Sequence, residues 1–270
     1  MNVLEPAHGA PGDDGSEVRP AVPVRSAGSL LEIEAVPAIE HDEVHVWAFE
    51  LAASTEQYAR CVEVLSSEEQ EKASRFVFER HRNAYVVSHG VLRALIGAYA
   101  KCPPQSLRWI CGPNGKPALA GDQAGRLSFN LSHSGSRALL AVAGGAEIGA
   151  DLEQHRAIEA ASIADRFFFG AERDAIRTAL EPDAIFYRYW TAKEAVMKGC
   201  GAGLSLPLDQ FGVMFQAASR ATVQTRNPAL LAPDWTVQTL AMDEGWSAAV
   251  AARGSAWRVA PQGGSHRSAD

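Results

Sequence analysis

No stretch of about 18 consecutive apolar residues occurs in the 270-residue chain, so a membrane-spanning helix of ordinary length is not expected. The N-terminus lacks a basic start followed by an apolar run, so no secretory signal is expected either. Cysteine is scarce: Cys61, Cys102, Cys111 and Cys200 are the four, and no two form a C-x-x-C pair. That pattern argues against a disulfide framework or a zinc site and fits reduced thiols in the cytoplasm. Positive charge is short as well, with 25 Lys+Arg against 32 Asp+Glu and a net charge of −7. A nucleic-acid binder more often carries a basic excess, so neither nucleic acid nor membrane is an expected partner. There is no G-x-S-x-G elbow. There is no Walker loop, because Pro117 follows Gly115-Lys116 where Ser or Thr would be needed. Gly199, Gly201 and Gly203 follow a helical pattern instead of a strand, and so read as a helix end and turn, not a dinucleotide loop.

What is present is ample apolar material, 47% of the residues, enough for one large domain or two small ones. Residues 1–28 are rich in Gly, Pro, Ala, Asp and Ser and read as a disordered tail, as do residues 259–270. The folded part then divides into an N-terminal half over 40–147 and a C-terminal half over 148–258. Alternation over 43–49 predicts a strand. Ser66-Ser67-Glu68-Glu69 has the form of a capping box and predicts a helix start. A second helix is expected over 83–100, stopped by Pro103-Pro104. Short strands are expected at 109–111 and 127–131, with a turn at Gly112-Pro113-Asn114-Gly115 between them. A strand over 138–143 is expected to lead through Gly144-Gly145 into 147–153 as a hairpin. Helical patterns return over 158–168, 171–179 and 184–200, and strands over 213–250. Arg75-Phe76-Val77-Phe78 is echoed by Arg166-Phe167-Phe168-Phe169, which suggests two copies of an α+β unit.

Asp151 and Glu153 lie two apart on a strand, so their carboxylates share one face. They are either ordinary surface acids or ligands for a hard cation such as Mg²⁺, which takes one or two carboxylates together with phosphate. Trp190, Glu194 and Lys198, spaced by four, line one helix face. Glu194 and Lys198 are then a surface pair, or Glu194 faces a metal. Ser128 to Ser134 place hydroxyls, an amide and His133 at a strand end, where they are structural or donate to an anion. Lys72, Arg75, Arg80, His81 and Arg82 form a basic cluster, either a solvated helix face or a local anion site.

Taken in order, Gly115-Lys116-Pro117, Phe129-Asn130-Leu131-Ser132-His133-Ser134, Ile148-Gly149-Ala150-Asp151-Leu152-Glu153, Trp190-x-x-Lys193-Glu194-Ala195-x-x-Lys198 and Gly203-Leu204-Ser205-Leu206-Pro207-Leu208 resemble the signature blocks of the 4′-phosphopantetheinyl transferases. The length resembles the larger, surfactin-type (Sfp-like) branch. The resemblance implies an α+β fold of two similar halves related by pseudo-twofold symmetry, with coenzyme A in the cleft between them. It implies Mg²⁺ held by Asp151, Glu153 and Glu194. By the same resemblance Lys72, Arg75, Gly115, Lys116, Asn130, Ser132 and His133 contact coenzyme A, and Lys198 stands near the reacting phosphate. Two positions depart from the pattern: Ala150 replaces the usual Ile or Val, and Glu69 stands where some members carry a phosphate-binding lysine.

The reaction implied is transfer of 4′-phosphopantetheine from coenzyme A to a serine of an apo acyl, peptidyl or polyketide carrier domain, releasing 3′,5′-ADP. Glu194 is the expected base, acting directly or through a metal-bound water. A cytoplasmic monomer is expected. Two rivals use the same residues: a metal-dependent phosphohydrolase acting on coenzyme A or a nucleotide pyrophosphate, and a coenzyme A- or carrier-binding module without chemistry.

Overall fold

A computed structural model describes residues 18–112 and 114–262, without the side chain of Leu204. The expected tails over 1–17 and 263–270, and Pro113 of the expected turn, lie outside the described residues.

β1 (Val24–Arg25) and α1 (Ala27–Leu31) come first and correct the expected tail boundary at residue 28. Ala27 and Leu30 are fully buried, and Ser26 caps α1 by accepting the Ser29 N–H. Composition over a window of residues is blind to two such anchors. β2 (Glu43–Glu50) follows where alternation predicts it. α2 (Thr55–Val64) and α3 (Ser67–Ser74) each open on a capping box, Ser54 with Gln57 and Ser66 with Glu69. Each box satisfies two backbone donors that a bare helix start would leave open. α4 (Glu79–Ala100) begins four residues ahead of Asn83 and stops before the two prolines. β3 (Trp109–Cys111) and β4 (Pro117–Leu119) form a small antiparallel pair around the predicted turn.

β5 (Ser128–Ser134) and β6 (Arg137–Ala143) form a hairpin. The hairpin expected between β6 and the next strand, β7 (Ile148–Gln154), does not form. β6 has no free edge, because β2 takes one side and β5 the other. β7 instead crosses to a second sheet. After α5 (Ala160–Phe167), α6 (Gly170–Thr178) and α7 (Pro182–Cys200), that sheet is completed by β8 (Phe211–Phe215), β9 (Arg220–Thr225), β10 (Trp235–Leu240) and β11 (Trp246–Arg253), in the order β7-β11-β10-β9-β8. β12 (Arg258–Pro261) returns to the first sheet and pairs parallel with β2 over Glu43–Val46. It corrects the second tail boundary. β1 pairs with the same β2 edge further along, at Ala48 and Phe49. Together the two terminal segments cover a strand edge that would otherwise be open.

The layers are helix, sheet, sheet, helix. Trp47 and Phe49 of β2 and Leu140 and Val142 of β6 face α4. Val44, Val46, Leu139 and Ala141 face the second sheet, where they meet Ile148, Ala150 and Leu152 of β7 and Ala248 and Val250 of β11. Both faces of β6 are therefore buried, which is why its sequence is a continuous apolar run and not an alternation. Ala150 is fully buried in this inter-sheet core, so its departure from Ile or Val is a packing change.

The halves echo each other through a buried ion pair. In the first, Glu69 of α3 accepts the Arg93 Nε–H of α4 across 2.5 Å, and Arg93 also donates to the carbonyl of Pro104. In the second, Glu172 of α6 accepts from Lys193 of α7 at 2.7 and 2.9 Å, and Lys193 also donates to the carbonyl of Phe211. The Arg-Phe echo is out of register with this repeat: Arg75 follows α3, whereas Arg166 lies in α5, before α6.

Candidate active site

β5 is the edge strand of the first sheet and β7 the edge strand of the second. Between them side chains replace the usual backbone ladder. Asn130 Oδ1 accepts the Ala150 N–H at 2.9 Å. Ser132 Oγ donates to Asp151 Oδ1 at 2.9 Å. Ser134 Oγ donates to Glu153 Oε2 at 2.7 Å and accepts the Gln154 N–H. Residues 130, 132 and 134 share one face because a strand alternates. The motif Asn-x-Ser-x-Ser thus joins the halves and orients the carboxylates. Ser134 was not among the expected site residues, although the period of two gives its place.

On the other side of β7, α7 brings Glu194 and Lys198. The approach is close because Gly149 and Gly199 have no side chains: a Cβ on Gly149 would lie 2.0 Å from the Ala195 carbonyl oxygen. Lys198 Nζ donates to Asp151 Oδ1 at 2.5 Å and to Ser132 Oγ at 2.8 Å. Asp151 is buried, and its Oδ2 has no partner among the described residues. Burial, then Asp151, pushes the Glu153 pKa up, against the Ser134 and Trp190 side chains and Lys198. Burial, then Asp151, also raises that of Glu194, with Lys198 opposing. The site is therefore a cluster of acids with one lysine, short of positive charge. Trp190, one turn before Glu194, stacks on Phe186 and Phe168.

The expected coenzyme A residues divide into two groups. Asn130, Ser132 and Lys116 spend polar groups on protein partners: Lys116 Nζ donates to the carbonyls of Ile148 and Gly199. His133 faces outward at the end of β5. Its surroundings desolvate it and, with Lys198, His89 and His81 nearby, lower its pKa. Gly115 forms the β3–β4 turn at φ +82° with open space around it. Beside it a cavity of about 490 Å³ is lined by Asn114, Lys116, Ser128, Phe129 and Cys200. Lys72 lines a second cavity of about 600 Å³ with Tyr85, Arg108 and Trp109. Arg75 is exposed and paired with Glu71. Glu69, facing the same cavity, is committed to Arg93, His89 and Trp109. Burial alone would raise its pKa, but the bonds from His89, the Ser66 N–H and Arg93 bring it down to about 2. Of the basic cluster, Lys72 therefore borders this open cavity and Arg75 does not.

Two family models divide the chain at the crossing from β6 to β7. Residues 50–144 match "4′-phosphopantetheinyl transferase, N-terminal", and residues 147–251 match "4′-phosphopantetheinyl transferase superfamily". The chain belongs to the 4′-phosphopantetheinyl transferases. It is 36% identical over 222 residues to the 4′-phosphopantetheinyl transferase HetI of Nostoc sp., covering 80% of this chain and 90% of that one. It is 29% identical over 201 residues to the 4′-phosphopantetheinyl transferase Sfp of Bacillus subtilis, covering 74% and 87%. With the human L-aminoadipate-semialdehyde dehydrogenase-phosphopantetheinyl transferase it shares 28% over 179 residues, covering 61% and 58%.

Proposed function

We propose that the chain moves 4′-phosphopantetheine from coenzyme A to a carrier-domain serine at the β5–β7–α7 junction, with Mg²⁺ and with release of 3′,5′-ADP. The observation that carries this reading is the convergence of Lys198 and Ser132 on Asp151 beside two acids whose pKa values are raised.

The residues fit a divalent cation. Asp151 Oδ2 is a buried acceptor without a donor, and Glu153 and Glu194 are short of countercharge. Among the described residues no three His, Cys, Asp or Glu side chains stand grouped to hold a cation, so the three carboxylates would have to close on it as it binds. Mg²⁺ keeps waters and phosphate oxygens in its shell and needs only one or two protein carboxylates. Asp151, Glu153 and Glu194 would hold it, and when bound it would neutralise pyrophosphate charge.

The chain's own groups do the rest. Glu194 accepts the proton of the carrier serine hydroxyl, and burial, by raising its pKa, makes it a stronger base than an exposed carboxylate. The serine oxygen bonds to the β-phosphorus of coenzyme A, and the bond from that phosphorus to the oxygen of 3′,5′-ADP breaks. Lys198, steered by Asp151 and Ser132, stabilises charge on the phosphoryl oxygens. Lys72 and His133 supply donors for the nucleotide phosphates. The protein acts as a monomer in the cytoplasm on acyl, peptidyl or polyketide carriers. No described helix is long and apolar enough to cross a membrane.

The test is incubation with coenzyme A, Mg²⁺ and a panel of apo carriers, followed by mass spectrometry. A gain of one phosphopantetheine per carrier, with equimolar 3′,5′-ADP, is expected. Release of 3′,5′-ADP without any carrier gain would instead mean hydrolysis.

A further inference from the structure

We propose that Lys116 is a positioning residue: its ammonium sets the spacing between the strand that carries Asp151 and Glu153 and the helix that carries Glu194 and Lys198. The inference rests on the transferase reading of that site and assigns Lys116 a role other than gripping coenzyme A.

Lys116 belongs to the first half, on the β3–β4 turn, yet both of its hydrogen bonds go to the second half. Nζ donates to the Ile148 carbonyl at 2.8 Å and to the Gly199 carbonyl at 2.6 Å. Ile148 opens β7, three residues before Asp151. Gly199 is next to Lys198 and five residues beyond Glu194, in the last turn of α7. One ammonium therefore touches the strand and the helix at the two points from which the acids are hung.

These are groups that need a donor. The last four carbonyls of a helix have no partner within it, and a cation at that end is also favoured by the helix dipole. The Ile148 carbonyl is on the outer edge of β7, where Asn130 Oδ1 and Ser134 Oγ accept the N–H groups of Ala150 and Gln154. Lys116 is thus the first of three side chains along that edge. Beside it Asn114 Nδ2 donates to the Gly201 carbonyl at 2.7 Å, a second tie between the same turn and the end of α7.

The junction has little tolerance. Gly149 and Gly199 let β7 and α7 touch through their backbones, and a Cβ on Gly149 would lie 2.3 Å from the Gly199 nitrogen. Glycine sets how near the two elements come, and Lys116 keeps them there. Misplacement of reacting groups by about 1 Å can reduce rate 100-fold.

The experiment compares wild type with Lys116→Met and Lys116→Arg in carrier loading at saturating coenzyme A. It also measures the coenzyme A Kd and the Tm, with kinetics taken well below every Tm. A loading wild type establishes the transferase reading independently of either variant. Lys116→Met is expected to lower kcat about 10- to 100-fold while the coenzyme A Kd changes less than about threefold. Lys116→Arg, which can still donate to two carbonyls, is expected to recover a large part of kcat. A coenzyme A Kd weakened tenfold or more with kcat kept at saturation would overturn the proposal in favour of a ligand contact. A lowered Tm with unchanged kcat would overturn it in favour of a purely structural role. If Lys116→Met does not fold, Asn114→Ala removes the neighbouring tie and is expected to lower kcat two- to fivefold at unchanged Kd, whereas unchanged kcat would again overturn the proposal.

Discussion

Lys198 Nζ and Asp151 Oδ1 lie 2.5 Å apart, with Ser132 Oγ within hydrogen-bond distance of both. The lysine is one-third exposed and the aspartate is buried. A single ammonium thus balances a carboxylate that has no other cation hydrogen-bonded to it among the described residues. Lys198→Ala should lower kcat about 100- to 1000-fold, the scale of losing one preorganised donor to developing charge. It should also destabilise by about 1–3 kcal/mol, because Asp151 is left buried without its cation. Carrier-loading kinetics and urea unfolding measure the two effects separately.

Glu69 gives the protein an acid-labile element. Its folded pKa of about 2 lies below the ordinary 4.5. Its contribution is therefore complete above pH 4.5 and is lost as the pH falls toward 2. The shift corresponds to about 3 kcal/mol. Glu69→Gln should lose that amount at pH 7 and show a flatter stability profile between pH 5 and 2. Parallel urea titrations across that range would settle it, and equal slopes for both proteins would count against the assignment.

Glu153 and Glu194 act with the opposite sign. Their raised folded pKa values mean that the native state binds protons more tightly than the unfolded chain, so stability falls as pH rises from 4.5 through their titration. In cation-free buffer Glu194→Gln should raise the Tm at pH 8, by about 2–4 °C for each kcal/mol of repulsion removed, while carrier loading measured with Mg²⁺ is lost. The gain should vanish at pH 4. A variant that kept the wild-type loading rate would remove Glu194 from the chemistry.

Mg²⁺ should raise the wild-type Tm, and more at pH 8 than at pH 5, because it competes with protons for the same oxygens. The increment should be absent in Asp151→Asn. Differential scanning fluorimetry with and without the metal reads this directly, and an equal increment in both proteins would move the cation elsewhere.

Gly149→Ala places a methyl 2.0 Å from the Ala195 carbonyl oxygen. Neither backbone can give way without separating β7 from α7. A destabilisation of about 2–3 kcal/mol is expected, with a larger loss of kcat than of coenzyme A binding.

The sequence made the local elements legible where the signal is local. The Ser66–Glu69 box, the Asn114–Gly115 turn and the alternation in β2 all formed as read. The shared face of Asp151 and Glu153 follows from strand geometry alone, and the family was legible from the order of its motifs. What was hidden depends on distant partners. β7 could not be excluded from a hairpin with β6 without knowing that β2 and β5 occupy both edges of β6. Residues 24–31 and 258–261 look like tails by composition, yet they cover β2, because strand pairing needs only a free backbone edge. Lys116 read as a ligand-binding residue, and nothing in Gly-Lys-Pro indicates that its amine reaches carbonyls 32 and 83 residues further on. Glu69 looked like a lost cation, while the fold uses it to hold Arg93.

The return of β12 to β2 has a bearing on biosynthesis. During translation β2 emerges more than two hundred residues ahead of Arg258, the residue that pairs with Glu43. Until β12 leaves the ribosome, the Glu43–Val46 edge has no β12 to close it. The Glu43–Val46 edge thus stays open to misplaced strand partners while those residues are made, and a stalled nascent chain ending before Arg258 is the species a chaperone would be expected to hold.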